Sequence, residues 1–330
     1  MNAEITCNCC RKRKAVVGLE YSGLDLCGQC FCELFERRVR KANRDFAMLR
    51  RGDRIVVGVS GGKDSAAMLH VLDKLARKIG DITLIPVLID EGIKGYREKA
   101  KKKAEALCKA HGYKLTVYSF SGLSGKSLDQ IIKLRNKSHD PQFSSMGACA
   151  ICGTLRKYLL NKAALKLNAN KVAIGHNADD IGQTFLMNIL RADPDGVSRF
   201  GPVSENDGDG LTVPRIKPLI YLPERECAYY CELKGLSYHL GECPYATEAF
   251  RGLVKDFLND SEEKYPGIKF NVLKSYLNLR AQLEENYGGK SAAKPATKSS
   301  SIPSNKCEKC GGKCSKKICR ACQILEFLKK

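Results

Sequence analysis

Residues 57–69 read VGVSGGKDSAAML. The apolar, β-branched run RIVVGVS (54–60) feeds a glycine turn that opens onto helix-forming residues. This is the order of a strand–loop–helix phosphate site. Glycines let backbone N–H groups approach an anion, and the helix N-terminus adds its dipole. A Walker loop would read G-x-x-x-x-G-K-[ST]. Here Gly58 reaches Gly62-Lys63 one residue early, and Asp64 stands where Ser or Thr belongs. The stretch therefore predicts a nucleotide site of another kind than a kinase or GTPase loop, built from Gly58, Val59, Ser60, Gly61, Gly62, Lys63, Asp64 and Ser65. Ser60 and Ser65 offer hydroxyl donors and Lys63 a charge. Phosphate would repel Asp64, so that residue is read as facing Mg²⁺ or capping the helix.

Outward from this loop, strands and helices alternate. TLIPVLID (83–90), KLTVYSF (114–120) and KVAIGHN (171–177) are expected strands. Residues 63–79, 96–112, 153–167 and 178–190 have helical spacing. The alternation predicts an α/β fold with a doubly wound parallel sheet. Ligands of such sheets sit at the carboxyl ends of the strands, where 58–65, 88–91 and 175–180 fall. Residues 191–210, rich in Gly, Asp and Pro, are expected as a loop. PERECAYYCELKGL (223–236) and most of 265–287 read as helix, and the Lys/Ser/Pro-rich 288–305 as a flexible linker.

Cysteine usage places the ends. Of 17 cysteines, six lie in residues 7–32 and five in 307–322. Cys7-x-x-Cys10 with Cys27-x-x-Cys30, and Cys307-x-x-Cys310 with Cys319-x-x-Cys322, have the spacing of zinc ribbons. Segments this short bury little core, so a metal would supply their folding energy. Cys9, Cys32 and Cys314 are surplus and leave the choice of ligands open. The expected organisation is a ribbon at 1–40, a catalytic domain at 41–250, a helical extension at 251–287, the linker, and a second ribbon at 306–330.

The formal charge of +20 points to a polyanionic partner such as nucleic acid. No run approaches the roughly 20 apolar residues that span a bilayer, and the N-terminus lacks a secretion signal. A cytosolic protein with no membrane partner is expected, in which so many thiols serve metal or sulfur chemistry.

Cys149-x-x-Cys152 is expected just before the 153–167 helix, whose N-terminus would lower a thiol pKa. The pair can bind metal, form a redox disulfide or carry a persulfide. Candidates for a third ligand are Cys108, Cys227, Cys231 and Cys243. Cys108 reads as buried filler in an amphipathic helix. Cys227 and Cys231 share one helix face and read as packing. Cys243, in the loop GECPYA, is preferred.

Together these stretches resemble a known family. SGGKDS (60–65) is similar to the signature of the PP-loop ATP pyrophosphatases. EGIKGYR (91–97), CAICGTLRKYLLNKAA (149–164), GHNADD (175–180), CPY (243–245) and both terminal cysteine sets resemble the two-zinc-finger tRNA 2-thiouridine synthetases of the TtuA/NcsA type, over nearly the whole chain. The resemblance implies that ATP, with Mg²⁺, sits on the 58–65 loop with Asp90, Gly175 and Asp180. It implies adenylation of a tRNA uridine O2, release of pyrophosphate, and replacement of AMP by sulfur. It implies two Zn²⁺ and one 4Fe–4S cluster on Cys149, Cys152 and Cys243, leaving one iron free, with Arg156 and Asp180 catalytic. A competing mechanism uses the same cysteines for a persulfide and a resolving disulfide. A ubiquitin-like thiocarboxylate carrier or free sulfide would donate sulfur, and a homodimer is implied. The wobble uridine and the T-loop ribothymidine both stay open as targets. Two other readings stand beside this one: a lysidine-type or amide-forming synthetase, which needs no iron, and a zinc-ribbon RNA-binding protein with an inactive nucleotide domain.

Overall fold

The computed structural model describes residues 5–204, 210–246, 250–287, 305–314 and 316–329. Apart from Asn305, the expected linker lies outside them. The chain opens with β1 (Val17–Leu19), β2 (Leu24–Leu26) and α1 (Gly28–Phe46). The central run is β3 (Arg54–Gly58), α2 (Lys63–Ile79), β4 (Thr83–Asp90), α3 (Arg97–Ala110) and β5 (Thr116–Ser119). Short helices α4 (Phe120–Ser124), α5 (Leu128–Lys137) and α6 (Pro141–Ser144) lead to α7 (Ala148–Lys166) and β6 (Lys171–Ala173). Then come α8 (Ala178–Leu190), α9 (Pro194–Arg199), β7 (Arg215–Ile216), α10 (Glu224–Leu233), α11 (Arg251–Lys264) and α12 (Ile268–Tyr287). The chain closes with β8 (Asn305–Lys306), β9 (Lys313–Cys314) and α13 (Arg320–Phe327).

Five strands form one sheet in the order β5-β4-β3-β6-β7, every pair parallel. This is the doubly wound α/β fold expected from the alternation. The order reverses at β3, so its carboxyl end is the switch point where a crevice must open. Successive side chains face opposite sides of the sheet, and both sides are covered. Ile55, Val57, Leu88, Ala173 and Ile216 join a core with α1, α2, α8, α10 and α12. Val56, Val87, Ile89 and Val172 join a second core with α5, α7 and α13. Strands buried on both faces read as continuous apolar runs, as RIVVG does.

Three elements differ from the sequence expectation. The expected 191–210 loop contains α9, because Asp193 accepts Gly196 N–H at 2.8 Å and Pro194 occupies the first turn. The fifth strand, β7, is two residues long, too short to show a period. Helix α7 begins at Ala148, behind an extended Gly147, so the C-x-x-C pair lies within the helix.

Each terminal ribbon is welded to one face of the sheet. Phe31 and Phe35 on α1 are fully buried, and Phe35 stacks on Tyr230 of α10 with centroids 4.1 Å apart. On the other face Ile324 and Leu328 enter the second core, and Phe327 stacks on Phe143 at 5.2 Å. Phe35→Ala is expected to lower the unfolding free energy of the main domain by about 3–5 kcal/mol. A urea melt in which only a separate ribbon transition moves would contradict this coupling.

Candidate nucleotide and thiol site

The loop after β3 is tight because it has to be. Gly61 has φ +88°, and a Cβ there would lie 2.1 Å from the Ala100 carbonyl oxygen. Gly62 caps α2 in extended conformation. Ser65 Oγ donates to Gly62 O at 2.9 Å and lies 3.1 Å from both Ser60 N and Ser60 Oγ. The loop is pinned from outside by Arg97 Nη1, which donates to Ser60 O at 2.8 Å, and by His239 N–H, which donates to Gly61 O at 2.8 Å. Gly175 lets the β6–α8 turn close onto the first turn of α2, where a Cβ would sit 3.3 Å from Asp64 C and Ser65 N.

Charge around this loop is mixed. Lys63 Nζ donates to Glu224 at 2.8 Å and to Asp64 at 3.3 Å. Burial opposes its charge, but Asp64 and Glu224 outweigh that and hold its pKa above the ordinary lysine value. Asp64 also accepts from Asn177 Nδ2 at 3.0 Å. Asp180 closes a capping box with Asn177, accepting its N–H at 3.2 Å while its own N–H donates to Asn177 Oδ1 at 3.0 Å. Burial pushes Asp180 up to about 6, against the Asn177 N–H that favours its charge. Asp90, at the end of β4, accepts from Gly92 N–H at 2.9 Å and lines a cleft of about 440 Å³ with Ile93, Lys94 and Arg97.

The thiols lie at the same end of the sheet. Cys149 is exposed and its Sγ donates to Tyr245 O at 3.4 Å. Cys152, one turn on, is 8% exposed. Half-buried Cys243 packs against the core that contains Cys152. Arg156 Nη2 donates to Cys152 Sγ at 3.4 Å and pairs with Glu91 at 2.8 Å. Glu91 is fully buried and also pairs with Arg97. A chain of side chains thus runs from Cys152 through Arg156, Glu91 and Arg97 to the Ser60 carbonyl. Two guanidiniums share one carboxylate, leaving this network a net positive charge beside the nucleotide loop.

One expectation about these thiols fails. Burial pushes Cys152 up to about 11, and the neighbouring Arg156 only partly offsets it. The helix N-terminus does not dominate, because Cys152 sits within α7 and packs into a core. The alternative ligands Cys227 and Cys231 are fully buried on the other face of the sheet, beneath the loop, where Cys231 Sγ donates to Lys63 O at 3.2 Å. Cys108 is core. Sequence reading gave no role to Glu91, Arg97 or Glu224. Glu91 and Arg97 lie within the EGIKGYR stretch, but their partners are set by tertiary packing, as is the Glu224 contact 161 residues away from Lys63.

Among the described residues two groups of side chains could hold a metal ion: Cys7, Cys10, Cys27 and Cys30, and Cys307, Cys310, Cys319 and Cys322. In each, the four sulfurs lie within 4.8 Å of one another, which fits a tetrahedral thiolate site. Burial opposes charge on Cys7 and Cys307, yet backbone N–H groups of the knuckle turns bring both down to about 6. Cys9, Cys32 and Cys314 stand outside the quartets. Cys149, Cys152 and Cys243 do not converge this tightly. The three are thiol donors of the kind an iron–sulfur cluster takes, with Cys149 beside the Tyr245 carbonyl and Cys243 against the core that contains Cys152.

A five-stranded parallel sheet with a glycine loop at its switch point, and cysteine quartets at both ends, defines an α/β protein of nucleotide-binding architecture with two candidate metal knuckles. The family described as the PP-loop domain matches residues 33–261. A probable sulfurtransferase of Methanocaldococcus jannaschii is 36% identical over 94% of this chain and 84% of its own length. The tRNA 2-thiolation protein NcsA of Haloferax volcanii is 34% identical over 96% of this chain and 97% of its own. A solved structure, the U34-tRNA thiolase NcsA from Methanococcus maripaludis with its [4Fe-4S] cluster, is 28% identical with a TM-score of 0.78 over 99% and 97% of the two chains. The chain belongs to the PP-loop family and, within it, to the group of tRNA 2-thiolation proteins.

Two substitutions test this geometry. Gly61→Ala adds about 1–3 kcal/mol of backbone strain and displaces the loop from Ala100. Calorimetry is expected to show ATP binding lost, and wild-type affinity would contradict the tight approach. Glu91→Ala strands the buried Arg97 guanidinium and is expected to cost about 3–5 kcal/mol in a urea melt. A change under 1 kcal/mol would mean that Glu91 does not organise the network.

Proposed function

We propose that this protein is a cytoplasmic, ATP-dependent enzyme that 2-thiolates the wobble uridine of tRNA. The observation that carries the reading is the side-chain chain from Cys152 to Ser60, which couples the C-x-x-C pair to the nucleotide loop at one end of the sheet. A redox C-x-x-C or a plain synthetase needs no such link. The U34-tRNA thiolase at TM-score 0.78 favours the wobble position over the T-loop.

In this reading the N–H groups of 60–63, with Ser60 and Ser65, bind the pyrophosphate half of ATP, and Asp64 would hold Mg²⁺, which would supply charge neutralisation of the phosphates. The negative phosphates draw Lys63 away from Glu224. Gly58, Val59, Asp90, Gly175 and Asp180 border the rest of the nucleotide. The uridine O2 attacks the α-phosphorus, the α–β bridging bond breaks, and pyrophosphate leaves. Asp180, titrating near 6, accepts the N3 proton as O2 gains nucleophilicity. Arg156, carrying the excess positive charge of the Glu91 network, steadies the charge that develops on the α-phosphate. A sulfur nucleophile then adds at C2, AMP departs with the former O2, and 2-thiouridine remains. Cys149, Cys152 and Cys243 would hold a 4Fe–4S cluster, which when bound supplies an iron position free to hold incoming sulfide. The two quartets would hold Zn²⁺. Free sulfide or a thiocarboxylate carrier would deliver the sulfur, and the protein would act as a homodimer.

Metal and labile sulfide on anaerobically purified protein test this reading. Wild type is expected to carry about two zinc and about four iron per chain. The Cys149→Ala/Cys152→Ala/Cys243→Ala variant is expected to keep the zinc, lose the iron and lose thiolation of tRNA. Thiolation by that variant would overturn the assignment. The pH dependence of stability gives a second check. The Asp180 pKa is raised from 3.8 to about 6 on folding, so folding favours its protonated form. Its stabilising contribution is present below 3.8 and is lost as pH rises through about 6. The Tm difference between wild type and Asp180→Asn is expected to shift in favour of the variant across that window. A pH-independent difference would contradict the burial.

A further inference from the structure

The mechanism above uses Arg156 and Asp180 and leaves unassigned the cations just beyond them. Lys157 follows Arg156 on α7. Arg215 lies in β7, and Lys217 follows that strand. Arg215 Nη2 donates to Lys157 O at 3.3 Å, so α7 and β7 bring these residues side by side. Lys217 is 4% exposed. Its ammonium has neutral partners: it donates to the Gly201 carbonyl and lies 4.0 Å from the Phe200 ring centroid. Arg280 and Arg251 face the same cluster from α12 and α11.

Carboxylate partners are unevenly shared among these cations in the described residues. Arg156 and Arg251 have the carboxylates of Glu91 and Asp180. Among the described residues, Lys157, Arg215 and Lys217 are in no ion pair. Burial and neighbouring cations depress both lysines, Lys217 to about 7. His176, in their midst, has a buried Nδ1 with no hydrogen-bond partner. Gathering like charges in a crevice costs stability, and an incoming anion would relieve that cost. Lys157 stays exposed to solvent and Arg215 half-exposed, so an anion can reach them.

We propose that Lys157 and Arg215, with Lys217 beneath them, form a seat for a backbone phosphate of the RNA strand next to the target uridine. This rests on the tRNA reading above. The PP-loop amides already offer a seat for the phosphates of ATP at the end of β3. The second cationic seat is two strands away along the sheet, at β7, with Asp180 of α8 and its bound Arg251 between them. An RNA strand held there would present its base toward Asp180 and Arg156 without displacing the nucleotide.

The test measures tRNA binding against salt concentration for wild type, the Lys157→Ala/Arg215→Ala double variant and the exposed single variant Lys157→Glu. ATP affinity, zinc and iron are measured on the same samples. Loss of one phosphate contact is expected to reduce the slope of log Kd against log salt by about 0.7–0.9. The variants are expected to bind tRNA about 10- to 100-fold more weakly at low salt. ATP affinity and metal content are expected to stay at wild-type values, and Lys157→Arg/Arg215→Lys to restore the slope. Wild-type tRNA affinity and slope in both variants would overturn the seat alone, provided that wild type thiolates tRNA. A parallel fall in ATP affinity would overturn it in favour of a nucleotide-phosphate role. A wild-type protein that binds no tRNA would overturn the seat together with the function on which it rests.

Discussion

The site depends on one buried carboxylate. Glu91 has no exposed surface and is shared by Arg97 and Arg156. A carboxylate is kept out of water only where charge and hydrogen bonds compensate it, and these two guanidiniums do so. In return their positions are set: Arg97 points to the loop carbonyl of Ser60 and Arg156 to Cys152. The nucleotide loop and the thiol pair are therefore not independent modules on one sheet. A shift of the loop moves the Arg97–Glu91 pair, which is buried on both sides, and a shift of the thiol pair moves the Arg156–Glu91 pair, which is buried only on its carboxylate side.

The same logic extends outward in weaker form. Lys63 is balanced by Glu224, whose backbone N–H is capped by Asp179 at 2.6 Å, and Asp179 in turn pairs with Lys269 of α12. The helices beyond the sheet are thus tied to the first turn of α2 by charge as well as packing. The cysteine quartets do a different job. Each could hold a metal ion, which would replace part of the core that so short a segment lacks, and the adjoining helices α1 and α13 carry aromatic rings into opposite faces of the sheet.

Much of this was legible in the sequence because it is local. SGGKDS after an apolar run required a strand, a glycine turn and a helix, and the structure has them. The C-x-x-C pairs named both quartets, although only tertiary geometry could set aside Cys9 and Cys314. GHNADD falls at the β6–α8 turn, where Asp180 closes a capping box with Asn177. What stayed hidden is non-local. Glu91 sits between two arginines of different helices, and no spacing reveals that. The depth of Cys152 depends on how α7 meets β4. A helix start read from C-x-x-C alone suggested a lowered thiol pKa, and burial reverses it. Strand β7 is too short for any pattern, yet it brings Arg215 to the site.

The proposed chemistry cleaves ATP between its α and β phosphorus atoms to activate the uridine for sulfur. The most direct measurement is position-resolved nucleoside mass spectrometry of tRNA incubated anaerobically with protein, sulfide and one of two ATP analogues. With a β,γ-non-hydrolysable analogue, 2-thiouridine is expected at position 34, because the α–β bond remains cleavable. With an α,β-non-hydrolysable analogue none is expected. Thiouridine formed with the second analogue and not the first would contradict adenylation and the role assigned to the loop.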